Sequence, residues 1–242
     1  MPGESRTARP SGAMGQLPLA LGLADHARFE TFVAGANEAA VRHGRALADG
    51  APDTVWISGP HASGKTHLLQ AACRDASLAG RRAMYVSLLE EHALEPEILA
   101  GLEGVDLLAL DRVDTVAHDA AWERQLFVLF NEIAAKRGGL LLAALVPPAA
   151  AGFELRDLAS RAAGAVAYRL QPLLHSERVD ALLAHAHARG LDLERGTAEY
   201  LMDRVDRDMN ELQRWLDRLD RASLAEHRKL TIPFIRELLA TP

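Results

Sequence analysis

The stretch GPHASGKTH, Gly59 to His67, constrains this chain more than any other. It satisfies each position of the pattern G-x-x-x-x-G-K-[ST], follows the β-rich run TVWISG and opens a helical run from Lys65 to Ala79 that Gly80 stops. A strand-to-helix turn of this composition curls so that successive backbone N–H groups and the helix N-terminus face an anion. Gly59, Pro60, His61, Ala62, Ser63, Gly64, Lys65, Thr66 and His67 are therefore the expected cradle of a nucleotide phosphate, with Lys65 reaching the outer phosphates and the Thr66 hydroxyl holding Mg²⁺.

The surrounding pattern supplies the sheet that such a loop requires. Short apolar runs (TVWISG, AMYVSL, VDLLALD, LLLAALV and AVAYRL) alternate with helical stretches from Lys65 to Ala79 and from Ala120 to Lys136. That alternation predicts a parallel sheet with helices on both faces, over residues 25–170. After Gln171-Pro172 no strand-like run follows. Ser176 to Arg189, Thr197 to His227 and Pro233 to Ala240 read as helices, with Ser176 as an N-cap and Gly190 as a left-handed stop, so residues 171–242 are expected to form a small helical domain. Residues 1–24 are expected to be a tail, too poor in apolar residues at its start to fold alone.

A net charge of −6 argues against a basic nucleic-acid platform. The single cysteine, Cys73, excludes an internal disulfide and a cysteine-rich zinc site. MPGESRTARPSGAMG has no apolar signal core, and no run approaches the roughly 18 apolar residues of a membrane span, which points to a cytoplasmic protein.

The run VDLLALD ends in Asp111, placed to face a metal at the carboxyl edge of the sheet, and one further strand lies in sequence between it and the phosphate loop. Next comes Arg112, where a hydrolytic site wants a second carboxylate, and a guanidinium cannot act as a base. Asp114 would substitute only if it faced the site, and in an extended strand it points to the face opposite Asp111. Leu145, at the end of LLLAALV, offers no polar contact to a γ-phosphate. His185 and His187, two apart on a helix, face different ways and suit no shared metal, and Trp56, Trp122, Trp215 and Cys73 read as packing residues.

Taken together, QLPLAL, ETFVAGANEAAV, GPHASGKTHLLQAAC, LLALDRVD, DLASRAAG, YRLQPL and LDRASLAEHRKLTIPFI resemble the Hda family, the DnaA-related AAA+ regulators of bacterial replication initiation, from Gln16 to the end of the chain. The resemblance implies an AAA+ P-loop base with a helical lid. It implies a protein that binds the DNA polymerase III sliding clamp (the β subunit) on DNA and makes DnaA hydrolyse its ATP. DNA would be reached only indirectly. It also implies that Arg161 in DLASRAAG is an arginine finger acting in trans, that Gln16, Leu17, Leu19 and Leu21 form a clamp-binding peptide, and that ADP or ATP with Mg²⁺ occupies the cradle through Thr66 and Asp111. In the lid, DMNELQRWL carries Asn210 where DnaA has a sensor arginine, with Arg207 one turn earlier. Arg112, Leu145 and Asn210 together predict weak or absent hydrolysis at the chain's own site. Two rivals stay open: an active ATPase of helicase-loader type, and a DnaA-binding module that supplies no arginine. A surface presenting Arg161 also allows self-pairing into homodimers or larger assemblies, and a salt bridge to Asp157 would give Arg161 a purely structural role.

Overall fold

A computed structural model describes residues 26–89, 94–205, 209–226 and 229–240. The described elements are α1 (Glu38–Asp49), β1 (Thr54–Ser58), α2 (Lys65–Leu78), β2 (Ala83–Ser87), β3 (Leu107–Asp111), α3 (Ala120–Ala135), β4 (Gly139–Ala144), α4 (Arg156–Ala163) and β5 (Val166–Arg169). Four helices follow: α5 (His175–Ala188), α6 (Arg195–Met202), α7 (Met209–Glu226) and α8 (Ile232–Ala240). The five strands form one parallel sheet in the order β2-β3-β4-β1-β5. β4 therefore lies between the phosphate-loop strand β1 and the acidic strand β3, with Thr54 to Ser58 registered on Leu140 to Ala144.

The pleat sorts each strand between two cores, since successive side chains point to opposite faces. Val55, Ile57, Leu107, Ala109, Leu141 and Ala143 pack under α1 and α2. Trp56, Leu108, Leu110, Leu140 and Leu142 pack under α3 and α4. Trp56 is fully buried, and its indole N–H donates to the Val146 carbonyl at 3.0 Å, so the largest core side chain leaves no orphaned donor. A third core gathers Val179, Leu182, Leu201, Leu212, Leu216 and Phe234 from the helices that follow β5. Reciprocal bonds from the Asn37 side-chain amide to the Gln171 carbonyl at 3.0 Å, and from the Gln171 N–H to the Asn37 carboxamide oxygen at 2.8 Å, fix the chain where these helices begin.

Four local expectations change. The stretch before the first strand, assigned no element from the sequence, contains α1, whose Ala40, Val41, Gly44, Leu47 and Ala48 share a buried stripe at helical spacing. Ser176 is not the cap of α5: Leu174 occupies that position, and the Glu177 carboxylate reaches back to its N–H at 2.7 Å. The expected single helix from Thr197 to His227 is two, α6 ending at Met202 with Asp203 as its C-cap, and α7 beginning at Met209. The break lets Leu201 and Met202 enter the same core as Leu212 and Leu216. Finally, the strand does not continue to Asp114. Arg112 takes a left-handed conformation (φ 59°, ψ 42°) and Val113–Val116 form a 3₁₀ turn. Among the described residues no helix is long and apolar enough to cross a membrane.

Candidate nucleotide site

The loop between β1 and α2 is shaped by two glycines. Gly59 has φ +150°, and a Cβ there would meet the Leu170 carbonyl oxygen at 2.8 Å and Ser63 Oγ at 3.0 Å. Gly64, at φ +93°, precedes α2, and a Cβ there would press on the Phe32 ring at 3.0 Å. Any larger residue at either position adds strain to a clash. The loop borders a cavity of about 230 Å³ into which His61, Ala62, Ser63, Gly64, Lys65, Thr66, His67 and Asp111 all contribute.

Polar groups in this cavity are arranged for an anion. Lys65 Nζ donates to the carbonyls of Gly59 at 2.7 Å and Pro60 at 2.8 Å, and burial lowers its pKa although Asp111 pulls it back up. Ser63 Oγ is buried and has no hydrogen-bond partner, an arrangement that costs stability unless an acceptor reaches it. Thr66 Oγ1 donates to Asp111 Oδ2 at 2.6 Å, so the hydroxyl and carboxylate expected to share a metal do lie together. The Tyr85 hydroxyl also donates to Asp111 Oδ2 at 3.2 Å, and burial together with this carboxylate raises the phenol's pKa. Tyr85 was not foreseen, because its partner lies across the β2-β3 ladder.

Asp114 corrects the sequence reading. Because Arg112 turns left-handed, Asp114 faces the same cavity as Asp111, and its Oδ2 accepts from the Leu145 N–H at 2.9 Å. Arg112 and Leu145 border the cavity too. At the opposite end stand three histidines. The His185 ring on α5 lies 5.4 Å from His67 on α2 and 5.9 Å from His26. His67 Nε2 donates to the Arg28 carbonyl at 2.8 Å, and the Phe32 ring meets it edge-on at 5.1 Å. Burial lowers His67 to about 4, and burial with the neighbouring His67 and His26 lowers His185 to about 3, so both rings are neutral at pH 7. His187 is exposed, as its spacing from His185 requires. No group of three or more His, Cys, Asp or Glu side chains among the described residues could hold a metal.

Arg161 lies in the last turn of α4, exposed, outside the cavity lining and without an ion pair among the described residues. The Asp157 bridge that would have given it a structural role is not formed. Asn210 falls in α7, while Arg207 and the expected clamp peptide of Gln16, Leu17, Leu19 and Leu21 lie outside the described residues.

A parallel sheet in this order, a complete phosphate loop and a terminal helical unit define a P-loop protein of the AAA+ class. The family model for the bacterial DnaA ATPase domain matches residues 23–167, more than half of the chain, and that for the Hda lid domain matches residues 175–239. The chain belongs to the Hda family of DnaA-related AAA+ proteins. Solved structures agree on the fold. Domain III of DnaA from Thermotoga maritima is similar at 20% identity and a TM-score of 0.72, covering 91% of this chain and 100% of that one. AMPPCP-bound DnaA from Aquifex aeolicus is similar at 24% identity and a TM-score of 0.64, covering 81% of this chain. A DNA replication initiation factor is similar at 24% identity and a TM-score of 0.66, also covering 81%. This chain spans less than two thirds of the latter two, 65% and 64%.

Proposed function

We propose that this chain is a negative regulator of bacterial replication initiation that binds the DNA-loaded sliding clamp and supplies Arg161 in trans to ATP held by DnaA. One observation carries the reading: Arg161 is exposed, without an ion pair to Asp157 among the described residues, and outside the lining of the chain's own cavity. An arginine offered across an interface neutralises charge that develops on the transferred phosphoryl group, an effect worth roughly 10³ to 10⁵ in rate. DnaA is the proposed recipient because the base of this chain matches the DnaA ATPase model and the helices after it match the Hda lid model. Clamp binding is assigned to Gln16, Leu17, Leu19 and Leu21, a run whose Pro18 and spaced leucines suit a groove that takes short peptides.

The chain's own cavity is proposed to hold ADP or ATP. The partnerless Ser63 hydroxyl, Lys65 tied only to loop carbonyls, and the Thr66–Asp111 pair fit a phosphate with Mg²⁺. The bound nucleotide would supply the acceptor oxygen that the Ser63 hydroxyl lacks. Arg112 beside Asp111, and the hydrocarbon Leu145 at the end of β4, leave the site poorly equipped to activate water.

The cavity-facing Asp114 favours a second reading, an ATPase with its own turnover. Its Oδ2 is occupied by the Leu145 N–H, which weighs against a base at that atom. Phosphate release from ATP-loaded DnaA, with clamp on DNA and this chain added, tests the first reading. Strong stimulation supports it. No stimulation where both partners bind contradicts it, and Mg²⁺-dependent release by the chain alone, abolished by Asp114→Asn, establishes the second.

A further inference from the structure

The helix that carries Arg161 has no side-chain cap on its own N-terminal residue, Leu155. The two amides that lead into it, those of Glu154 and Leu155, are held by a carboxylate from another helix. Glu123, on α3, is 1% exposed, and its carboxylate is met by backbone donors. Its Oε1 accepts from the N–H of His118 at 3.0 Å and of Glu154 at 3.0 Å, and its Oε2 accepts from the Leu155 N–H at 2.6 Å. Burial pushes the carboxyl's pKa up, but the three backbone donors outweigh it and hold the group below the usual carboxylate range. A carboxylate placed in a core without such donors would be strongly destabilising, so a helix-face glutamate at this position is there for the bonds it makes.

The three donors come from two segments with different duties. Glu154 and Leu155 lead directly into α4 and Arg161. His118 ends the segment that leaves the nucleotide cavity at Asp111, and this segment is itself pinned by Asp114 to the Leu145 N–H and by the Thr115 hydroxyl to the Leu88 carbonyl at 2.6 Å. One carboxylate therefore joins the frame of the nucleotide cavity to the two residues that lead into the arginine-bearing helix.

We infer that Glu123 is a positioning residue for Arg161, fixing the direction in which α4 presents the guanidinium. The inference rests on the trans-arginine reading given above. An arginine finger acts only within a narrow geometry, and displacement by about 1 Å far from the chemistry is enough to cost on the order of 100-fold in rate. In Glu123→Gln the amide nitrogen replaces one acceptor oxygen and opposes the N–H groups it should receive, while the volume stays the same. Circular dichroism is expected to show a folded variant with a lower unfolding midpoint. Binding to ATP-loaded DnaA is expected to stay within about twofold of wild type, whereas stimulated hydrolysis at saturation falls by at least about tenfold. A residue that only stabilises the fold would leave the saturated rate unchanged. Should Glu123→Gln fail to fold, Leu155→Pro removes one donor at a residue whose φ of −71° already suits proline, and the same split between binding and rate is read from it. Stimulation lost in Arg161→Ala but retained in the folded Glu123 or Leu155 variant overturns the positioning role alone. Absence of stimulation by wild type overturns the trans-arginine reading and the positioning role with it.

Discussion

Acidification from pH 7 to pH 5 should loosen this molecule at the seam between α2 and α5. His67 and His185 are held neutral by burial, with pKa values of about 4 and about 3. In the unfolded chain both titrate near their ordinary value of about 6.5. The unfolded state therefore binds protons that the folded state refuses, so stability rises with pH through this interval. The contribution is fully present above about pH 6.5 and is lost as pH falls toward 4 and 3. At about 1.4 kcal/mol per pH unit, the drop from 6.5 to 5 removes about 2 kcal/mol for each ring. His185→Leu isolates one of them, since leucine fills a similar volume and carries no proton, and the Nδ1 atom it removes has no partner. Urea unfolding of both proteins at pH 7.0 and 5.0 provides the comparison. Wild type should lose about 2 kcal/mol more than the variant over that interval. Equal pH dependence in the two would refute the claim that burial keeps this imidazole neutral.

Other consequences are open to direct measurement. Lys65→Ala should weaken nucleotide binding in calorimetry by at least about tenfold, the loss of one charge-assisted phosphate contact, with little change in the unfolding midpoint because the amine bonds only loop carbonyls. Gly59→Ala should lower the unfolding midpoint, since its methyl group meets the Leu170 carbonyl oxygen at 2.8 Å; an unchanged midpoint would mean the loop relaxes freely. Replacing Gln16 and Leu19 together by alanine should abolish co-elution with the sliding clamp and leave thermal stability unchanged; retained co-elution would place the clamp contact elsewhere.

Features set by local chemistry were legible in the sequence. The phosphate loop needs glycines and a lysine at fixed offsets, and the strands announce themselves as apolar runs between breakers, so the cradle and the parallel sheet follow from short-range patterns. Asp114 shows where that logic stops. Its orientation depends on one left-handed residue, Arg112, and nothing about an arginine signals positive φ. His185 shows a second limit, because helical spacing could turn it away from His187 but could not place it across from His67 in a cavity wall. The turn after Met202 was hidden because apolar spacing continues on both sides of it. Glu123 was invisible for a related reason: its three partners are backbone amides supplied by residues 118, 154 and 155, and no residue type at those positions encodes a donor.

The central claim is that the arginine is exported, and a matched pair of proteins tests it most directly. Phosphate release from ATP pre-bound to DnaA would be followed with clamp on DNA, adding wild type or Arg161→Ala at concentrations that saturate DnaA. Arg161 is exposed and has no ion pair among the described residues, so the substitution should leave folding and partner binding intact. The account predicts that wild type accelerates release and that Arg161→Ala reduces the acceleration by roughly 10³-fold or more. Equal acceleration by the two proteins would contradict it.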